Sequence, residues 1–174
     1  DGFEVFGGNG GDDTIDGGTG SDQVDYFADP AGVIVNLATG TASDGFGGTD
    51  TILNVERVAG SFFDDMITGS DQPNDVIELF EARGGNDTID GGGGFDQYYA
   101  EFAPAAVAVN LATGIAQDGY GGTDTVSNIE RVIGSAFNDM LIGGNPASDS
   151  LEVFVGLAGN DTIDGGTGGD NVSY

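Results

Sequence analysis

Apolar side chains recur singly along this chain, each flanked by polar neighbours and preceded by a glycine-rich stretch that ends in Asp. Residues 8–16 read GNGGDDTID and 17–25 read GGTGSDQVD; 82–90 read ARGGNDTID and 91–99 GGGGFDQYY; 156–164 read GLAGNDTID and 165–173 GGTGGDNVS. The shared form is G-G-x-G-x-D-x-U-x, with U apolar. One apolar residue in each polar triplet predicts a three-residue strand that points a single side chain inward. The six residues before it predict a tight turn, because glycine adopts positive φ at no steric cost. Weaker copies occupy 45–53, 60–68, 119–127 and 134–142, and at 70–78 and 144–152 only an Asp and the following apolar residue, Ile77 or Leu151, remain.

A longer period encloses the nonapeptides. DTIDGG occurs at 13–18, 87–92 and 161–166, and laying 1–74 on 75–148 without a gap gives 41 identities in 74 positions. The chain thus divides into unit 1 (1–74), unit 2 (75–148) and the start of unit 3 (149–174), one continuous solenoid. Beginning and stopping at equivalent points of the repeat reads as a segment of a longer array.

Two nonapeptides make one coil of 18 residues, with strands on opposite faces and Ile, Val or Leu meeting between them. Stacked coils bring each Gly–Asp turn against another turn. Carbonyls from both, with one Asp from each, supply about six hard oxygen ligands, a number that suits Ca²⁺ better than Mg²⁺.

Composition sharpens this picture. The 174 residues hold 30 Asp and Glu against three basic residues, Arg57, Arg83 and Arg131, for a formal charge of −27. No Cys, His, Trp or Lys is present, which removes disulfides and Cys or His zinc sites. So acidic a surface repels phosphate backbones and anionic lipid, giving the expectation of no nucleic-acid partner and no membrane insertion. No apolar run approaches the ~20 residues of a membrane span, and no targeting leader is visible. With 38% hydrophobic residues there is still enough apolar surface for a core. Lack of His, Cys and Lys leaves few bases or nucleophiles, so the chain is not expected to be an enzyme.

The tandem nonapeptides resemble the RTX (repeat-in-toxin, haemolysin-type calcium-binding) repeats, and the intervening VxVNLATGxAxDGxGGTDTxxNxERVxGS resembles inserts found between such blocks in large RTX proteins. The resemblance implies an all-β parallel β-roll, calcium binding and type I secretion. It also implies the ligands. Asp75 would share an ion with Asp96 through the carbonyls of Gly91 and Gly93. Asp149 would pair with Asp170 (with Gly165 and Thr167), and Asp1 with Asp22 (with Gly17 and Thr19). On the other edge Asp65 would pair with Asp87 through Ser61, Phe63, Ala82 and Gly84. Its copy would pair Asp139 with Asp161 through Ser135, Phe137, Gly156 and Ala158. Asp50 with Asp65, and Asp124 with Asp139, are further pairs, and Asp13 has no upstream partner. Pairs 21 or 22 residues apart exceed the 18-residue coil, and the excess is read as a longer outer strand in IELFEARGG and LEVFVGLAG.

Other repeated residues have plainer readings. Asp16, Asp90 and Asp164 should be outward solvent charges, and Asp44 and Asp118 fit turn chemistry as well as metal. Asn36 and Asn110 suit a hairpin turn; Glu56–Arg57 and Glu130–Arg131 suit a surface ion pair. Phe6, Phe80 and Phe154 are core. The expected function is a calcium-dependent structural region of a secreted or cell-surface bacterial protein (spacer, adhesin stalk, S-layer-like or filament array) that folds on Ca²⁺ after export. Neighbouring repeats, including end-to-end self-association, are its expected partners. The competing reading is a ligand-binding module for polysaccharide, with Tyr98, Tyr99 and Phe102 as a stacking platform, or for ice, against which the sparse Thr spacing argues.

Overall fold

The computed structural model describes residues 2–71, 77–144 and 151–174. Nineteen short strands, β1 to β19 in chain order, form two sheets. The first sheet runs β1 (Val5–Phe6), β3 (Gln23–Asp25), β7 (Arg57–Ala59), β9 (Glu78–Glu81), then β11 (Asp96–Tyr99), β15 (Arg131–Ile133), β17 (Val153–Val155) and β19 (Asn171–Ser173). All its neighbours are parallel.

The second sheet begins with β18 (Thr162–Asp164), β16 (Met140–Ile142), β12 (Ala108–Asn110), β13 (Ile115–Gln117) and β14 (Thr123–Ser127). It continues with β10 (Thr88–Asp90), β8 (Met66–Thr68), β4 (Ile34–Asn36), β5 (Thr41–Ser43), β6 (Thr49–Leu53) and β2 (Thr14–Asp16). This sheet is parallel except where β4–β5–β6 and β12–β13–β14 fold back antiparallel. Consecutive nonapeptides alternate between the sheets, so the chain is a parallel β-roll with a hairpin let into one face of each unit.

The apolar residue of the regular triplets points inward, but Ile77 and Leu151, at the apolar place of 70–78 and 144–152, are 38% and 44% exposed, and Phe80 and Phe154 take the inward place three residues later. Val24, Val58, Phe80, Tyr98, Val132 and Phe154 stand in register across the first sheet and are 0–2% exposed. Facing them, Val35, Ile67, Ile89 and Val126 line up across the second, and all are buried. Each full burial is worth roughly 1.5–3 kcal/mol, so the core is a ladder of equal small contributions. Phe80 and Phe154 are core, as the repeat suggested, and Phe6 packs against it.

The hairpins were half legible. Asn36 accepts the Thr39 N–H at 2.8 Å and Asn110 the Thr113 N–H at 3.0 Å, closing the β4–β5 and β12–β13 turns. Where the hairpins sit corrects two expected carboxylate pairs. Strands β4 and β5 lie between β6 and β8, so Asp50 is not next to Asp65, and β12 and β13 likewise separate Asp124 from Asp139.

Candidate metal sites

The turns are built by backbone conformation at their second place. Gly18, Gly92 and Gly166 have φ of 82°, 84° and 77°, and the residues at the same place in the imperfect copies, Asn9, Arg83 and Leu157, are forced to 60°, 68° and 63°. The first place is required for another reason. A Cβ on Gly17 or Gly91 would run into the carbonyl oxygen of Asn54 or Asn128 and into the Cβ of the turn's own Asp. Asn54 and Asn128, themselves at positive φ, aim those carbonyls into the glycine turns, and their side chains are held by Asp16 and Asp90 at 2.7 and 2.6 Å. The outward Asp16, Asp90 and Asp164 are therefore caps of the next turn, each accepting the N–H two residues on.

At the sixth place the carboxylates form two ladders. In the second sheet each Asp leans back to accept the N–H of the equivalent residue on the preceding strand. Asp50 takes that of Asp13 (3.0 Å), Asp87 that of Asp65 (2.8 Å), Asp124 that of Asp87 (3.1 Å) and Asp161 that of Asp139 (3.0 Å). The expected Asp65–Asp87 and Asp139–Asp161 neighbours are thus together. Asp50 sits against Asp13, and Asp124 against Asp87, in place of the partners the spacing suggested.

The first sheet adds acidic residues that the motif did not select. Asp96 stands opposite Glu78, and Asp22, Asp96 and Asp170 each lie 18 residues after Glu4, Glu78 and Glu152. Asp22 accepts the Glu4 N–H at 2.9 Å, and Glu56 and Glu130 accept the N–H groups of Asp22 and Asp96, both at 3.0 Å. Glu therefore fills the Asp place of the nonapeptide at five positions on this edge: Glu4, Glu56, Glu78, Glu130 and Glu152. Asp1, Asp75 and Asp149 lie outside the described residues. The longer outer strand does not explain the 22-residue intervals: Glu78 to Asp87 and Glu152 to Asp161 are regular steps of nine, and the excess falls between Asp65 and Glu78 and between Asp139 and Glu152. An 18-residue search that allowed Glu for Asp would have found all three pairs.

Glu56 and Glu130 consequently do not make the expected ion pair with Arg57 and Arg131. Among the described residues the ion pairs belong to Arg83, which binds Asp25 bidentately at 2.9 and 3.1 Å and Glu81 at 3.3 Å. The expected aromatic platform is also dismantled: Tyr98 is 2% exposed and donates to Asp124 Oδ2 at 2.8 Å, leaving Tyr99 and Phe102 edge to face.

One oxygen of each ladder carboxylate is occupied by the N–H; the other decides whether a cation fits. Asp22 Oδ2, Asp50 Oδ2, Asp87 Oδ2, Asp161 Oδ2 and Asp170 Oδ1 are buried and have no hydrogen-bond partner among the described residues. An uncompensated buried carboxylate oxygen is expensive, and a hard cation is the natural remedy. Carbonyls close on Asp22 Oδ2, which shares the place a Cβ of Gly17 would take with Asn54 O and that of Gly20 with Gly2 O. Others approach carboxylate oxygens that already accept an N–H. The space a Cβ of Gly60 would take is shared by Asp65 Oδ2 and Ala82 O, that of Gly69 by Glu78 Oε2 and Gly91 O, and that of Gly143 by Glu152 Oε2 and Gly165 O. Phe63 O and Phe137 O approach Gly85 and Gly159 in the same way. Among the described residues no group of three or more acidic side chains is placed to hold a metal, so main-chain oxygens must complete any ligand set. Such a set of carbonyls and one or two carboxylates fits Ca²⁺.

Asp65 and Asp139 differ. Their turns, GSFFDD and GSAFND, hold Ser where the regular turn has glycine, and Ser61 and Ser135 donate both N–H and hydroxyl to them at 2.6–2.7 Å. With the Val33 and Val107 N–H groups also bound, these two carboxylates are already satisfied.

The electrostatics agree with crowded, desolvated acids. Burial pushes the Asp87 carboxyl up to about 8 against the bond from the Asp65 N–H, with Asp124, Asp65 and Asp118 adding repulsion. Burial likewise raises Asp124 to about 6 and raises Asp50 and Asp65.

Stacked glycine turns, two carboxylate ladders and carbonyls beside them define a calcium-binding repeat solenoid. A family model described as the RTX calcium-binding nonapeptide repeat (4 copies) matches residues 1–26, 74–98, 124–145 and 148–173, over half of the chain, and the chain belongs to this family. No curated protein matches it. RTX nonapeptide repeats bind calcium.

Proposed function

We propose that this region is a calcium-dependent structural spacer of a secreted or cell-surface protein, unfolded at low cytosolic Ca²⁺ and folded outside the cell. The observation that carries this reading is the set of buried carboxylate oxygens with no hydrogen-bond partner among the described residues, with main-chain carbonyls closing on that of Asp22. Calcium there neutralises the ladder and fixes the glycine turns, so that binding energy becomes folding energy. Asp22, Asp50, Asp87, Asp161 and Asp170 are the best placed ligands, joined by Asp96 and the Glu partners on the first sheet. Affinities of ~10⁻⁴–10⁻³ M, those of extracellular modules, would keep the chain unfolded for type I export. Further repeats of the same array would extend both sheets.

Small-angle X-ray scattering with calcium and with chelator tests this reading. An expanded chain in chelator that becomes a compact rod at millimolar Ca²⁺ supports it; an unchanged rod in both defeats it. A polysaccharide reading has less support, because the exposed rings Phe27 and Phe62 and the half-buried Tyr120 meet edge to face and offer no flat platform.

A further inference from the structure

Asp44 and Asp118 stand outside the nonapeptide pattern, immediately before the turns 45–50 and 119–124 that close the hairpins. Both are buried, at 4% and 2% exposure. Their Oδ1 atoms cap the turn: Asp44 accepts the N–H groups of Phe46 (3.1 Å) and Gly48 (2.5 Å), and Asp118 those of Tyr120, Gly121 and Gly122 (2.8–2.9 Å). Converging N–H groups form a nest for an anion. A cap alone would leave the second oxygen free to face water. In both repeats Oδ2 is instead buried and has no hydrogen-bond partner among the described residues.

The direction in which Oδ2 points is equally consistent. The place a Cβ of Gly48 would take lies 2.9 Å from Asp44 Oδ2 and also against the carbonyl oxygen of Gly11, on the stacked turn. The corresponding place at Gly122 lies 2.7 Å from Asp118 Oδ2 and against Gly85 O. Two further partnerless oxygens belong to the same stacks, Asp50 Oδ2 in unit 1 and Asp87 Oδ2 in unit 2.

We propose that Asp44 and Asp118 are themselves cation ligands: each Oδ2 joins the ion held between its hairpin turn and the stacked turn 8–13 or 82–87, replacing carbonyls that a nest of inward N–H groups does not offer. The inference rests on the calcium reading above. It assigns each insert a ligand of its own, and makes the hairpin part of the metal-binding machinery.

Asp44→Asn and Asp118→Asn test it in the full 174-residue chain, because the amide oxygen can still cap the turn while the charge is lost. Bound calcium is counted by equilibrium dialysis and native mass spectrometry, and folding is checked by circular dichroism. Each single variant should bind one ion fewer, or bind one at least tenfold more weakly, and the double variant two. Should Asp44→Asn fail to fold, the Asp118→Asn count decides, and a Ca²⁺-soaked crystal of the unaltered chain decides independently by density beside Oδ2. Unchanged counts and affinities in variants whose parent binds calcium would overturn this inference alone. A parent chain that binds no calcium would overturn the calcium reading with it.

Discussion

Glu78 and Asp96, 18 residues apart, are direct partners across β9 and β11 of the first sheet. Their pairing sets the register of the whole edge, because the same offset joins Glu4 to Asp22 and Glu152 to Asp170. Glu78 also accepts the Ser70 N–H at 2.8 Å, an interaction that glutamine preserves. Glu78→Gln should therefore leave the fold in saturating Ca²⁺ intact while raising the calcium midpoint of folding several-fold. A titration of each variant followed by circular dichroism reads this directly; an unchanged midpoint would remove Glu78 from the site.

Acid should act oppositely on the metal-free and calcium-loaded chain. Asp87 at about 8 and Asp124 at about 6 lie above the ~3.9 of a free carboxyl. Between these values the folded chain binds more protons than the unfolded one, so metal-free stability falls as pH rises from ~4 towards 8. In chelator the chain, unfolded at pH 8, should gain β structure by far-UV circular dichroism on going to pH 5. With calcium present the trend reverses, since protons then displace the ion. Asp87→Asn should flatten the metal-free dependence.

Arg83 offers a test independent of metal. Its guanidinium joins Asp25, on β3, to the Gly60 carbonyl at 2.9 Å, and lies 5.1 Å from the Phe27 ring centroid. Burial works to raise the Asp25 carboxyl, but Arg83 and the Phe27 N–H hold it below its ordinary value. Its contribution is hence present above ~4 and is lost as pH falls through the lowered folded value. Arg83→Leu, the residue of the next repeat, should cost about 1–3 kcal/mol in urea unfolding and abolish that acid-side loss.

Turn conformation makes a prediction of opposite sign at equivalent places. Gly92→Ala, at φ 84°, should cost roughly 1–2 kcal/mol, and Leu157→Gly, at φ 63°, should cost little or stabilise. Gly91→Ala should be worse than Gly92→Ala, because its methyl meets Asn128 O and Asp96 Cβ. Calcium-loaded urea denaturation ranks the three.

The roll was legible in the sequence because a triplet with one apolar residue has few other uses; Ile15, Val24 and Ile89 lie where that rule puts them, whereas Phe80 takes the inward place the rule gave to Ile77. The Asn36 and Asn110 turns were readable for the same local reason. The pairing of carboxylates was not, where it depended on chain that leaves the repeat. Asp50 meets Asp13 only because β4 and β5 turn back between β6 and β8, and their inward residues, Val35 and Ala42, give a weak strand signal. Glu78 was not legible because Asp75, an aspartate like those of the regular turns, matches the motif's chemistry more closely than a glutamate does. Chemical identity outweighed register in the reading of that edge, whereas hydrogen bonding across the ladder fixes register first.

Whether calcium folds this chain is tested most directly by far-UV circular dichroism across a calcium titration, with magnesium as control. The expected result is a cooperative transition from coil to β structure driven by Ca²⁺ and not by Mg²⁺. A chain already folded in chelator, and indifferent to calcium, would contradict it.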